Sequence, residues 1–133
     1  MSGYLGSIGF GLPAAMGAWA AVGDTRKVVS VSGDGGLGQY AMELTTLVKY
    51  DMNVTHVLVT NDELGKISKE QRAGNFAVWQ TSLVNPDFAQ FASLIGMASE
   101  RVETLDQIAP ALERALAHNG PSLVEAVSDA GLF

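Results

Sequence analysis

Apolar residues along this chain fall into short runs that glycine-rich or polar stretches separate. Residues 27–32 (KVVSVS) and 54–60 (VTHVLVT) are β-branched and apolar, a pattern typical of strands buried in a parallel sheet. Residues 13–22 (PAAMGAWAAV) are rich in alanine and begin with proline, which favours a helix. Residues 39–50 carry apolar side chains at helical spacing, so a second helix is predicted after a turn over residues 33–38.

The second half of the chain continues this alternation of helices and strands. Residues 86–95 predict a helix, and Val102 closes a short strand. Thr104 and Gln107 form a capping box at the start of another helix, and residues 121–128 (PSLVEAVS) predict the last strand. Strands that alternate with helices predict an α/β fold with three layers (α/β/α) around a mainly parallel sheet.

The connection over residues 61–85 is long and irregular, and Gly65 and Gly74 lie inside it. Connections of this length within a compact domain are uncommon and usually functional. We therefore predict a functional loop here. At its start we expect the side chains of Asp62 and Glu63 to be exposed to solvent.

Composition and charge narrow the classes of function. Of the 133 residues, 47% are hydrophobic and 17% charged, which suits a single domain over residues 1–133 with its own core. The net charge of −6 and the lack of a Lys/Arg cluster argue against a nucleic-acid partner. The sequence offers no membrane span, signal peptide or cysteine, which excludes disulfides and thiolate chemistry and agrees with the cytoplasmic location that we expect.

Two of the predicted strands end in residues suited to a cation-bound diphosphate. Ligands of a parallel sheet bind beyond the carboxyl ends of its strands, here at residues 33–36 (GDGG) and 61–63 (NDE). Magnesium prefers oxygen ligands, often one or two carboxylates together with phosphates and water. Because neighbouring strand ends lie about 5 Å apart, Asp34 and Asn61 are candidates to share one Mg²⁺ ion.

The same turn has a second interpretation. Gly33, Gly35 and Gly38 satisfy G-x-G-x-x-G, the fingerprint of dinucleotide-binding domains, with Asp62 near the acidic ribose position. Asp34 would then direct a carboxylate towards a pyrophosphate, and two anions in a semi-buried site repel each other. A divalent cation between them makes the contact favourable. The turn therefore suits a magnesium diphosphate better, and a dinucleotide-binding redox or regulatory module is the alternative.

The surrounding motifs resemble thiamine-diphosphate enzymes of the acetolactate synthase and pyruvate oxidase family. Asn61 follows Asp34 by 27 residues, as the metal-binding asparagine follows the aspartate in that family. Thr60 stands where the family usually has a first asparagine. The resemblance extends in order through residues 6–15 (GSIGFGLPAA), 43–46 (ELTT) and 85–96 (NPDFAQFASLIG). It covers almost the whole chain and implies the C-terminal, diphosphate-side domain of such an enzyme.

The resemblance implies a role for each matching residue. Asp34, Asn61 and the backbone carbonyl of Glu63 would bind Mg²⁺. Ile8 would wedge between the two rings of thiamine diphosphate, and the Gly6 carbonyl would accept a hydrogen bond from its pyrimidine amino group. The full set of expected cofactor-binding residues is Gly6, Ser7, Ile8, Gly33, Asp34, Gly35, Gly36, Asn61, Glu63 and Gly65.

The loop after Asn61 resembles one that lines the reaction pocket of pyruvate oxidases. Residues 67–71 (ISKEQ) match I-x-x-E-Q there, which makes Ile67 and Glu70 the candidate catalytic residues of this chain. The implied substrate is a small 2-oxo acid such as pyruvate, whose decarboxylation precedes carboligation or oxidation. The alternative for Glu70 is a solvent-exposed loop carboxylate with no catalytic role.

The family's catalytic glutamate lies in a separate pyrimidine-binding domain, of the same or of a second subunit. Glu43 does not match it, because Glu43 lies in the predicted diphosphate-side helix. We therefore expect the chain to be a domain of a longer enzyme or one subunit of a split one, inactive alone and part of a homo-oligomer. An apolar contact face would include residues 3–10 and part of residues 61–82. The resemblance leaves open whether the intact enzyme binds FAD and which acceptor it uses.

Overall fold

The computed structural model describes residues 6–132, so Gly3 to Leu5 of the expected contact face lie outside the described residues. The elements that follow are numbered in chain order. The helices are α1 (Gly11–Val22), α2 (Asp34–Leu37), α3 (Leu44–Lys49), α4 (Gly65–Ala73), α5 (Phe88–Leu94) and α6 (Leu105–Ala117). The strands are β1 (Val28–Gly33), β2 (Val54–Thr60), β3 (Ala98–Val102) and β4 (Ser122–Val127).

The four strands form one parallel sheet in the order β1-β2-β4-β3. Val31 pairs with Val57, and Val57 pairs in turn with Val124, so these valines share one face of the sheet. Since all strands run the same way, their carboxyl ends meet at one edge. No helix in the described part of the chain is long and apolar enough to cross a membrane.

Helices cover both faces of the sheet, which confirms the predicted three-layer α/β/α fold. On one face Leu12 of α1, Leu47 of α3 and Phe88 of α5 pack in one cluster with Leu58 and Leu123 from the strands. On the other face Ala111 and Ala115 of α6 pack against Val102 and Val124. The capping box at Thr104 and Gln107 is present at the start of α6, as predicted.

Strand β1 is not buried on both faces, contrary to the prediction from its apolar run. Val29 is 50% and Val31 65% exposed, whereas Ser30 between them is buried. The reason lies in the coverage of the sheet, because α6 packs on β3 and β4 and leaves the same face of β1 open. An apolar run does not show how many helices will cover it.

Two helix predictions need correction. The helix expected over residues 39–50 is only α3 at its end, preceded by a 3-10 turn over Ala41–Glu43, because Tyr40 leaves helical geometry at φ −131°. The segment over residues 61–85 is not irregular throughout, since it contains α4. Helix α4 begins at a glycine and is mostly polar, so periodicity gave no sign of it.

Candidate functional site

Asp34 directly follows β1 and is buried at the carboxyl edge of the sheet, with 3% of its surface exposed. Its Oδ1 accepts a hydrogen bond from the Gly35 N–H at 2.8 Å. Its Oδ2 accepts from the backbone N–H groups of Asn61 at 3.1 Å and of Asp62 at 2.8 Å. Such donors stabilise a charged carboxylate away from water. Asp34 therefore ties the end of β1 to the end of β2.

Asn61 follows β2 and folds its side chain back on its own turn. Its Oδ1 accepts a hydrogen bond from the Glu63 N–H at 3.1 Å. Asp62 between them has φ 57°, in the left-handed region where the chain can reverse, and its side chain is exposed as expected. The structure thus brings Asn61 and Asp34 together, 27 residues apart in sequence.

The side chain of Glu63 is not exposed as expected, since only 18% of it is accessible. Its Oε1 accepts hydrogen bonds from the hydroxyls of Ser68 in α4 and of Thr81, the latter at 3.3 Å. Arg72 lies 3.7 Å away as a further cationic partner. The carboxylate turns inward because these donors meet there, and it joins α4 to the returning chain.

The turn after β1 lies against the segment that precedes α1. A Cβ on Gly36 would lie 3.4 Å from the backbone nitrogen of Gly9. Gly9 itself has φ +84°, and a Cβ there would meet the Tyr40 ring at 2.5 Å. Position 9 therefore strongly favours glycine, and the close approach makes residues 6–10 and 33–36 one continuous surface.

This surface and the start of α4 line an open groove of about 880 Å³. Asn61 lines an adjoining cavity of about 380 Å³ that shares Asp34, Glu63 and Gly65 with the groove. All the sequence-predicted site residues are thus brought to one region. Those that line the groove are Gly6, Ser7, Ile8, Gly33, Asp34, Gly35, Gly36, Glu63, Gly65, Ile67 and Glu70.

Comparison with known proteins gives this arrangement a family. Residues 1–126 match the family model described as the thiamine pyrophosphate enzyme, C-terminal TPP binding domain. The chain belongs to this family. Thiamine pyrophosphate is another name for thiamine diphosphate, so the match favours the thiamine-diphosphate interpretation of the Gly33–Gly38 turn over the dinucleotide one.

Individual relatives agree with the family match. The chain is 37% identical over 131 residues to the acetolactate synthase isozyme 2 large subunit of Escherichia coli, covering 96% of this chain and 24% of that protein. It is 33% identical over 131 residues to the mitochondrial acetolactate synthase catalytic subunit of Aspergillus candidus, covering 96% of this chain and 18% of that one. The chain therefore spans about a fifth of the length of curated relatives that it matches.

A solved structure shows the same fold. The crystal structure of benzoylformate decarboxylase from Polynucleobacter necessarius superposes with a TM-score of 0.84 at 28% sequence identity. The match covers 95% of this chain and 24% of that one. Together with the family match, this makes the four-stranded parallel sheet the core of a thiamine pyrophosphate binding domain.

The donor set of this domain suits a hard divalent cation. Asp34 Oδ2 takes backbone hydrogen bonds from two residues, while Oδ1 takes one, from Gly35. Oδ1 therefore retains acceptor capacity for an ion. The described residues hold no group of three His, Cys, Asp or Glu side chains that could bind a metal. Amide and carbonyl oxygens, such as those of Asn61 and Glu63, would have to complete the ligand set, and Mg²⁺ accepts them.

Ile67 and Glu70 line the groove from α4, but Glu70 remains partly in solvent. The Glu70 carboxylate lies 3.8 Å from the Lys66 ammonium one helical turn earlier, and both side chains are largely exposed. An exposed pair of this kind contributes little to stability. Ile67 is also partly exposed, which leaves its apolar surface facing the groove region.

A buried histidine lies beneath the glycine-rich turn. His56 of β2 is fully buried, and its Nε2 lies 3.0 Å from the Ser32 hydroxyl on β1. Burial lowers the pKa of His56 from 6.5 to about 4, so the imidazole is neutral near pH 7. It therefore acts as a hydrogen-bond partner of the residue two positions before Asp34.

Asn85 is a site residue that the sequence did not single out, because it belongs there only to the resemblance over residues 85–96. Its Nδ2 donates to Asp34 Oδ2 at 2.8 Å and to Asp62 Oδ1 at 2.8 Å. Its position could have indicated this role, since Asn61 is the first and Asn85 the last residue of the 61–85 segment. An amide there, held by the following Pro86, can reach the start of the segment.

Proposed function

We propose that this domain binds thiamine diphosphate through Mg²⁺ and serves an enzyme that acts on a small 2-oxo acid. The observation that carries the proposal is the buried Asp34 carboxylate, which meets Asn61 beside the Gly33–Gly36 turn. A carboxylate there suits a diphosphate only if a cation lies between them. The family match supports the organic cofactor, and the donor set supports the ion.

The chain's own groups would divide the work of holding the cofactor. Asp34 Oδ1, Asn61 Oδ1 and the Glu63 carbonyl would hold the ion, and the backbone N–H of Gly36 would face the diphosphate. The Gly35 N–H, which donates to Asp34 Oδ1 here, would turn from that oxygen to the diphosphate. Gly6, Ser7 and Ile8 would contact the ring end, from the part of the groove that precedes α1. Bound thiamine diphosphate would supply the carbanion chemistry that decarboxylates a 2-oxo acid.

Pyruvate is the substrate that we propose for the intact enzyme. Ile67 would offer an apolar contact for its methyl group, and Glu70 would move a proton or exclude bulky acceptors. Both residues line the same groove as the expected cofactor contacts, which supports the assignment. Both relatives described above are acetolactate synthases, which supports the same class of reaction.

We further propose that the site is completed by a pyrimidine-binding domain from the same or a second subunit, within a homo-oligomer. The groove is open on this chain, and the chain spans about a fifth of curated relatives. The isolated 133-residue chain should therefore fail to decarboxylate pyruvate. If the intact enzyme also binds FAD, the resemblance puts that flavin on another domain. A cytoplasmic location stays a prediction.

The test compares matched aspartate variants of the intact enzyme by calorimetry with thiamine diphosphate, with and without Mg²⁺. Asp34→Asn should abolish magnesium-dependent binding, because it removes the charge that faces the ion. Asp106→Asn, on the exposed start of α6, should bind as the wild type does. Unchanged affinity in Asp34→Asn would refute the metal assignment. Binding of NADH without any magnesium requirement would instead favour the dinucleotide alternative.

A further inference from the structure

The segment over residues 61–85 is attached to Asp34 at both of its ends. From its start, the backbone N–H groups of Asn61 and Asp62 donate to Asp34 Oδ2. From its end, the Asn85 side chain donates to the same oxygen at 2.8 Å, across 51 residues of sequence. Three donors therefore converge on Oδ2, whereas Oδ1 has one.

The two protons of the Asn85 amide are both used. One hydrogen bond goes to Asp34 and the other to Asp62 Oδ1, each at 2.8 Å. An amide NH₂ group has two N–H donors, so it can join two carboxylates that would otherwise repel each other. No other side chain in the described residues bonds to the Asp34 carboxylate.

The chain holds Asn85 in place from either side. Upstream, the Leu83 N–H donates to the Asp62 carbonyl at 2.7 Å, and the Leu64 N–H donates to the Thr81 carbonyl at 2.8 Å. Downstream, Pro86 restricts the backbone of Asn85 to extended conformations. Asp87 then caps α5 by accepting from the Gln90 N–H at 2.7 Å. The amide therefore reaches Asp34 from a fixed position.

We infer that Asn85 is a positioning residue for the metal ligand Asp34. Together with the Asn61 and Asp62 N–H groups it fixes the rotation of the carboxylate through Oδ2, which leaves Oδ1 as the oxygen available to the ion. It also ties the end of the 61–85 segment to the same carboxylate. This inference rests on the proposed function, because it needs Asp34 to be the metal ligand.

The experiment measures Mg²⁺ affinity of the intact enzyme by calorimetry at saturating thiamine diphosphate, with kcat measured separately at saturating Mg²⁺. Asn85→Ala should weaken Mg²⁺ binding by about tenfold, a usual size for one lost hydrogen bond to a charged group. Its kcat at saturating Mg²⁺ should stay within about threefold of the wild type, because the ion then holds the carboxylate itself.

Two further variants separate positioning from a general structural role. Asn119→Ala removes an exposed asparagine at the opposite end of the sheet and should leave Mg²⁺ affinity unchanged. Asn85→His at pH 8 restores an N–H donor, since imidazole Nδ1 lies as many bonds from the backbone as the asparagine amide nitrogen. Its Mg²⁺ affinity should return to within about threefold of the wild type.

The outcomes distinguish this inference from the proposed function. Wild-type Mg²⁺ affinity in Asn85→Ala, or equal weakening in the alanine and histidine variants, would overturn the inference while Asp34→Asn still failed to bind. Retained magnesium-dependent binding in Asp34→Asn would overturn the proposed function itself. If Asn85→Ala does not fold, Asn85→Leu keeps the volume without the donors, and wild-type Mg²⁺ affinity in that variant would equally overturn the inference.

Discussion

The Ser32 hydroxyl and the His56 imidazole lie 3.0 Å apart on neighbouring strands, directly beneath the turn that carries Asp34. The imidazole is fully buried, and burial lowers its pKa to about 4. Protonation would place a charge inside the core, so the folded protein resists it. The unfolded chain, in which histidine has its ordinary pKa of 6.5, accepts the proton readily.

This difference predicts a stability that falls with acid. His56 contributes fully above about pH 6.5, and that contribution is lost as the pH falls towards 4, up to about 3 kcal/mol. His56→Gln keeps a hydrogen-bonding side chain without the titration, so the free energy of unfolding should depend less on pH between 4.5 and 6.5. Urea unfolding at several pH values measures this. His118→Gln, an exposed histidine, is the control, and equal slopes in the wild type and His56→Gln would contradict the prediction.

A second prediction concerns the Glu63 side chain, which joins Ser68 of α4 to Thr81 by accepting a hydrogen bond from each. Glu63→Ala removes the one oxygen that accepts both hydrogen bonds, and the fully buried Ser68 hydroxyl loses its closest partner. We expect hydrogen exchange of the amides in residues 65–73 to rise by about tenfold, since this helix makes few other buried contacts. Glu63→Gln should show a smaller rise because the amide can still accept. Exchange that matches the wild type in Glu63→Ala, with Glu113→Ala as the control on α6, would refute this role.

The exposed valines of β1 predict self-association of the isolated chain. Val29 and Val31 present apolar surface on an edge strand whose backbone has neighbours on one side only within the described residues. Exposed apolar edges of this kind pair with other chains. Light scattering of the 133-residue chain at high concentration should show species larger than a monomer.

Two lysine variants test whether this self-association uses the β1 edge. Val31→Lys should reduce the association, because a charge on an edge strand disfavours pairing. Leu94→Lys alters a more exposed apolar residue at the end of α5 and should leave the association unchanged. A strict monomer in the unmodified chain, or equal effects of the two lysines, would show that the β1 edge is not the contact.

Much of the fold and the centre of the site follow from local sequence. The strand over residues 54–60 has the predicted boundaries, because a β-branched run between polar residues has few other solutions. Asp34 and Asn61 are adjacent because parallel strands end at one edge of the sheet, so two polar strand ends predict one site. These inferences need only periodicity and strand direction.

The remaining features depend on contacts between distant parts of the chain. Exposure of Val31 depends on where α6 packs, and nothing near Val31 in sequence encodes that. The inward turn of Glu63 depends on Thr81, 18 residues later. Asn85 reaches Asp34 across 51 residues, which no local pattern shows. Such contacts override local expectations, because a buried polar group takes its partner from whichever element brings a donor.

The last prediction concerns the residues that α4 brings to the groove. Ile67 and Glu70 line it together with Asp34 and Ile8, so in the intact enzyme they should act on the substrate rather than on the ion. Ile67→Ala and Glu70→Gln should each lower kcat/KM for pyruvate by at least about tenfold, roughly 1.4 kcal/mol of transition-state stabilisation. Their Mg²⁺ and thiamine-diphosphate affinities should match the wild type, because neither residue bonds to Asp34 or Asn61 in the described structure.

The matched controls are Lys66→Gln and Glu113→Gln. Lys66→Gln removes the ion pair with Glu70, and since that pair is exposed it should change turnover by less than about threefold. Glu113→Gln changes an exposed carboxylate on α6, away from the groove, and should have no effect. If Ile67→Ala and Glu70→Gln turn over pyruvate normally while Asp34→Asn is inactive, Glu70 is a solvated charge. The assignment of the cofactor site would then hold, because the proposed ion ligands lie at the strand ends and not on α4. The assignment of a substrate role to α4 would fail.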